Sequence, residues 1–216
     1  MGNSILNRKM VDGQIKPING VSQELVSIFN SLDRNDFMPE EIKRNAYVEK
    51  NFVTSNDRII LKPDIIARIA LHLSLKENEN VLILGSTTGY LSAVLANQAE
   101  TVIVVEEDKE LIKFSESSIK INNINNIVYI NNKISKGCVE QSPFNAIVIE
   151  GAVTQIPEDI LSQLDEAGRL IGFISDGNIC NAQKFTKNGA TYMKKTLFNC
   201  SLPILSSFRE KNSFRF

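Results

Sequence analysis

Apolar residues recur along this chain in two rhythms, and each predicts a kind of element. Short unbroken runs at 81–84, 102–105, 127–130 and 146–149 have the length and composition of strands buried on both faces. The stretches between them carry helical spacing. Residues 90–98 place Leu91, Val94 and Leu95 on one face, and 109–121 is helical as well. Pro63, a favoured first-turn residue, opens a helix to about residue 73 with Ile65, Ile66, Ile69 and Leu73 inward. Strand and helix in alternation predict an α/β fold with a mostly parallel, doubly wound sheet.

The two ends depart from that rhythm. Residues 1–55 are helical in pattern. Val21, Leu25, Ile28 and Phe29 form one stripe behind Ser22 as N-cap, Phe37-Met38-Pro39 breaks the pattern, and 40–48 suits a second short helix. This segment has too few apolar residues to fold alone. No Gly- or Ser-rich linker follows it, so the expectation is one domain over 1–216, with an N-terminal helical extension at 1–75 and an α/β core at 76–216. Toward the C-terminus, 131–142 is loop-like, 157–164 a helix, 168–174 a turn and fifth strand, and 185–188 the close of a further helix. Residues 190–197 and 202–208 read as late strands, an antiparallel hairpin at one sheet edge.

Composition mostly excludes. Lys plus Arg number 24 against 25 Asp plus Glu, which gives no electrostatic argument for nucleic acid or an anionic membrane. No apolar run approaches the roughly 18–20 residues of a membrane span. The N-terminus lacks the apolar core of a signal peptide, so a cytoplasmic protein is expected. Cys138, Cys180 and Cys200 are odd in number, lack metal-ligand spacing and fit a reducing compartment, and no metal site is expected. His72 is the only histidine and lies inside an apolar helical pattern, a poor basis for a histidine-dependent triad.

Candidate chemistry concentrates in residues 80–107. The first buried strand runs into Gly85-Ser86-Thr87-Thr88-Gly89, a turn of small residues, then into a helix opened by Tyr90. The second strand ends in Glu106, about 20 residues after Gly85, where nucleotide-type α/β folds place an acid that accepts from ribose hydroxyls. G-x-x-x-G is a loose pattern and not the dinucleotide fingerprint. A plain turn between strand and helix remains the alternative at this point.

Several stretches then share a family resemblance in one register. Met10-Val11-Asp12-Gly13-Gln14-Ile15-Lys16-Pro17 resembles the MVDxQLRP opening of the protein-L-isoaspartate O-methyltransferase family, and Phe37-Met38-Pro39 its F-V-P. Residues 81–90 are similar to its V-L-E-I-G-T-G-S-G-Y, 142–148 to its A-P-F-D-x-I-x-V, and 163–170 to its QL-x-x-G-G-R-L. Leu202-Pro203-Ile204-Leu205 sits where the family has F-V-P-L. The resemblance covers nearly the whole chain. It implies a Rossmann-like S-adenosylmethionine-dependent methyltransferase fold, and methyl transfer from that cofactor to the carboxylate of an isoaspartyl residue in a damaged protein or peptide. A carboxylate with a reference pKa of about 4 is already an ionised nucleophile at pH 7, so positioning and water exclusion suffice and no histidine or cysteine nucleophile is needed.

By the same resemblance Gly85, Ser86, Thr87, Gly89, Tyr90 and Glu106 are the candidate cofactor-binding residues. The family loop G-Q-T-I-S-Q-P, which lines the isoaspartyl site, aligns with residues 57–63, so Arg58, Ile59, Ile60 and Leu61 occupy the acceptor side. The chain departs from the pattern at several of these places. Ile83 stands where the family has an acid, Thr87 where it has its middle glycine, Lys133 where it has the acid that contacts adenine, and Ile59 and Leu61 where it has hydroxyls. Arg58 either grips an anionic group or forms an exposed surface pair, the commoner role of an arginine. Two readings follow: a divergent carboxyl methyltransferase, or a family member that keeps the fold as a binding or structural module.

Overall fold

The structure, a computed structural model, describes residues 5–54, 58–177 and 179–208. Helices α1 (Ile5–Met10) and α2 (Gln23–Ser31) open the chain, followed by 3-10 turns at Arg34–Phe37 and Glu40–Asn45. Ser22 caps α2 as expected, its Oγ accepting from the Leu25 N–H at 3.1 Å. Two short strands, β1 (Phe52–Val53) and β2 (Ile59–Ile60), pair antiparallel ahead of α3 (Pro63–Leu73), which has Pro63 in its first turn.

The core then alternates β3 (Asn80–Leu84), α4 (Tyr90–Ala96), β4 (Thr101–Glu106), α5 (Lys109–Ile121), β5 (Ile127–Asn131), β6 (Phe144–Val153), α6 (Glu158–Leu161) and β7 (Leu164–Ser175). The meander β8 (Cys180–Asn188) and β9 (Thr191–Cys200) completes one seven-stranded sheet, ordered β5, β4, β3, β6, β7, β8, β9. The first five of these are parallel, while β8 runs against both β7 and β9. Alternate residues of the central strand feed the two faces: Val81 and Ile83 pack with α2, α3 and α4, whereas Leu82 and Leu84 pack with α6 and with Leu205 and Phe208. The N-terminal segment shares that first core, with Met10, Val11, Ile15, Leu25 and Phe29 packed among the sheet residues.

The C-terminal third corrects the sequence reading. Residues 185–188 do not close a helix; they end β8. The edge hairpin exists, but β8 and β9 make it, and 202–208 contributes only a single bridge, Ala152 with Ile204, and a 3-10 turn at Ser206–Phe208. The residues of β8, CNAQKFTKN, have no clean alternation, so their extended form comes from pairing with β7 rather than from local preference. The predicted helix at 157–164 is reduced to α6, and the loop at 131–142 holds two 3-10 turns.

Candidate functional site

The β3–turn–α4–β4 unit forms as its sequence suggests. Gly85 and Gly89 both take positive φ, 87° and 84°, at the two ends of the turn. Gly85 donates its N–H to Val105 O at 2.9 Å, which draws the turn against the end of β4 and sets Glu106 beside it. Ser86, Thr87, Thr88 and Tyr90 are all buried, and the Ser86 and Ser92 hydroxyls lie 3.2 Å apart.

This crevice is covered from both sides. Arg58 comes across from the stretch before β2 with 5% of its surface exposed, which corrects the expectation of a surface pair. Its Nη2 donates to Glu106 Oε2, and the guanidinium lies so close over Gly85 that a β-carbon there would stand 2.7 Å from Nη2. Ser115 of α5 and the Tyr129 hydroxyl of β5 press on Gly89 in the same way, joined to each other at 2.9 Å. The second carboxylate oxygen of Glu106 accepts from the Glu107 and Asp108 amides, each at 2.9 Å. Glu106 is therefore only 1% exposed and engaged on both oxygens.

Two residues that the sequence did not single out complete the cluster. Glu150 sits in the irregular stretch of β6, between Val148 and Ala152, where pairing with β7 shifts register. It is buried, and burial first, then the neighbouring Glu106 charge, push its carboxyl up to about 8 against the pull of Arg58, the Thr87 amide and Arg34. Arg34 is wholly buried, donating from Nε to Ala46 O at 2.8 Å and from Nη2 to Leu61 O at 2.7 Å, with its guanidinium carbon 5.0 Å from the centre of the Tyr90 ring. Burial pulls its pKa down to about 10. Burial also raises the Glu106 carboxyl, with Arg58 and the two amides opposing. Glu150 had a signal in the sequence, since it ends an apolar run as Glu106 does; Arg34 had none.

Five of the nine buried side-chain polar atoms without a hydrogen-bond partner among the described residues belong to this cluster: Arg34 Nη1, Arg58 Nε, Thr87 Oγ1, Tyr90 OH and Glu150 Oε2. Native interiors leave few such atoms, so their concentration marks a polar site rather than a packing core. The other expected positions fall elsewhere. Ile59, Ile60 and Leu61 are buried in the core, Ile83 packs on the α3 side of the sheet, and Lys133 is exposed and takes no part in the cluster. His72 stacks near Phe198, ring centres 6.4 Å apart, away from the crevice. Beside the β2–α3 junction a surface cavity of about 400 Å³ is lined by Asn51, Lys62, Asp64, Arg68, Phe198 and Cys200 among others.

A parallel sheet with a glycine-flanked turn after its first core strand and an acid ending the second is the framework of Rossmann-like methyltransferases. The sequence pattern described as Protein-L-isoaspartate(D-aspartate) O-methyltransferase (PCMT) matches residues 6–206, and the chain belongs to that family. The family's enzymes are S-adenosylmethionine-dependent methyltransferases. A protein-L-isoaspartate O-methyltransferase of Herpetosiphon aurantiacus is 28% identical over 89% of this chain and 86% of its own length. One of Proteus mirabilis is 31% identical over 70% of this chain and 74% of its own. Among solved structures, a Plasmodium falciparum protein assigned the same activity and crystallised with S-adenosyl-L-homocysteine superposes with a TM-score of 0.79 at 21% identity, over 93% of this chain and 98% of its own, a likeness of fold.

The frame of the site suits that cofactor: turn, acid and unpartnered polar atoms converge at the carboxyl ends of β3, β4 and β6. The space does not, because the Arg58 guanidinium lies over Gly85 and holds the Glu106 oxygen that a ribose would need. In this arrangement the site does not fit S-adenosylmethionine.

Proposed function

We propose that this chain is a protein-L-isoaspartate-type carboxyl methyltransferase, acting with S-adenosylmethionine on isoaspartyl residues of proteins or peptides, and that its crevice is held closed by Arg58 until the cofactor enters. The observation that carries the reading is the gathering of five unpartnered buried polar atoms around a turn and acid of methyltransferase type, within a family match that spans residues 6–206. Gly85, Ser86, Thr87, Gly89, Tyr90 and Glu106 are the residues that would hold the cofactor once Arg58 leaves. The three free thiols suit a reducing, cytoplasmic location.

A second reading, the fold kept as a binding or structural module, is favoured by the Arg58–Glu106 pair itself. Two measurements separate them. Calorimetric titration with S-adenosylmethionine should give binding heat, and transfer of a labelled methyl group to an isoaspartyl peptide should follow. No heat at millimolar ligand eliminates the enzyme; heat without transfer means a different acceptor.

A further inference from the structure

Cys180 opens β8 and Cys200 closes β9, and the ladder sets the two directly opposite each other. Opposed residues of an antiparallel pair have Cα atoms about 4.5–5.5 Å apart, inside the span of about 4.4–6.8 Å that a disulfide bridges. The side chains already meet, the Cys200 thiol donating to Cys180 Sγ at 3.3 Å. A bond between the sulfurs therefore asks for small side-chain rotations and no movement of the strands.

The two sulfurs are not equivalent. Cys180 is buried, whereas Cys200 is half-buried and stands on the wall of the surface cavity of about 400 Å³, with Phe198, Asn199 and Ser201. The Cys200 thiol first, and then the Leu202 N–H, hold the Cys180 thiol below its ordinary value against the effect of burial, and the same sulfur–sulfur contact raises Cys200. Cys180 is thus the sulfur that gives up its proton and Cys200 the neighbour that keeps one, the arrangement of a reacting cysteine beside a resolving one. Cys138 belongs to the core on the other face of the sheet, and burial raises its thiol.

We propose that Cys180 and Cys200 form a reversible dithiol–disulfide site whose oxidant is hydrogen peroxide, small enough to enter by that cavity. The Cys180 thiolate attacks one peroxide oxygen and the O–O bond breaks. The departing hydroxide takes up the proton that Cys180 released and leaves as water. The Cys200 sulfur then attacks the sulfenic acid on Cys180, the S–O bond breaks, and hydroxide leaves with the Cys200 proton as a second water. Two electrons pass from the sulfurs to the peroxide, giving one disulfide and two waters. Because the sulfurs are in contact, the second step is intramolecular and outruns further oxidation of Cys180. A dithiol reductant reopens the bond by exchange. The site shares no residue with the candidate cofactor crevice and stands independently of the proposed activity.

The test treats the folded full chain with a small molar excess of hydrogen peroxide, then denatures it in the presence of an alkylating agent and measures intact mass and tryptic peptides. Trypsin cuts at Lys184, Lys187, Lys194 and Lys195, between the two cysteines, so the bond shows as two peptides joined through Cys180 and Cys200. The expected product is a monomer about 2 Da lighter before alkylation, with Cys138 the one alkylated thiol, and dithiothreitol returns all three. In Cys200→Ser, dimedone should trap a sulfenic acid at Cys180 at least about tenfold more than it traps one at Cys200 in Cys180→Ser. Oxygen added to either sulfur without a cross-link, Cys138 consumed as fast as the pair, or a bond joining two chains through Cys200 would each overturn the proposal. Preferential trapping at Cys200 would overturn it as well, by reversing the order of attack. If either serine variant fails to fold, the peptide map of the unaltered chain gives the decision by itself.

Discussion

Two arginine–glutamate pairs, one half-buried and one buried, lie at opposite ends of the same sheet and are built on different principles. At the amino ends of the strands, Arg169 of β7 grips Glu79 with both nitrogens of its fork, at 2.8 and 2.5 Å. Its remaining donors go to the carbonyls of Leu73 at 2.6 Å, Ser74 at 3.0 Å and Asn145 at 3.1 Å, which ties α3, β6 and β7 together. At the carboxyl ends, Arg58 has Glu106, an unpartnered Nε, and a second acid nearby. The two glutamates respond in opposite directions. Burial pushes both up, but for Glu79 the hydrogen bonds from Arg169 and the Lys76 amide win and the carboxyl stays below its ordinary value, whereas for Glu106 burial wins. A saturated pair is a scaffold bolt; an undersatisfied one among unpartnered neighbours has the character of a site.

The sharpest way to break this distinction is at the saturated pair. Arg169→Ala should cost about 2–3 kcal/mol in urea unfolding, because it removes the forked pair with the half-buried Glu79 carboxylate and three hydrogen bonds to carbonyls together. A loss under about 1 kcal/mol would put Arg169 in the same class as an ordinary surface pair, and the comparison would fail.

A smaller effect sharpens it through pH. Glu150 has its folded pKa raised from 4.5 to about 8, so the folded state keeps a proton that the unfolded chain releases. Its contribution is fully present below about pH 4.5 and is lost as pH rises toward 8, at a slope of up to about 1.4 kcal/mol per unit. Glu79, depressed, contributes the other way: its share is present above its ordinary pKa and is lost as pH falls through the acid range. Urea unfolding at pH 5, 6, 7 and 8 should therefore show Glu150→Gln removing a fall in stability toward pH 8, with Glu79→Gln leaving that fall in place. An unchanged slope in Glu150→Gln would contradict the cluster's electrostatics.

The sequence made the sheet legible where local pattern decides it. The β3, β4, β5 and β6 runs, the Pro63 helix and the Ser22 cap all follow from neighbours within one turn or one strand. The edge hairpin was legible only in its second strand; β8 was not, because it owes its form to the edge of β7. The same limit hid the site. Gly85, Gly89 and Glu106 carry a local spacing, but Arg58 meets Glu106 across 48 positions, and Arg34 reaches Leu61 across 27, with no period to announce either. The substituted positions were visible as departures from a family pattern, while the meeting of Arg58 and Glu150 around Glu106 is a property of three dimensions.

The central claim is that the Arg58 guanidinium is a displaceable occupant, and its own Nε–H reports on that most directly. In an arginine-labelled sample, the Nε–H resonance of Arg58, assigned by its absence in Arg58→Lys, should be protected from exchange with water in the free chain, as its burial requires. On saturation with S-adenosylmethionine the account predicts that this protection is lost while the Arg34 resonance keeps its own. An Arg58 signal that stays protected while calorimetry registers the bound cofactor would contradict it.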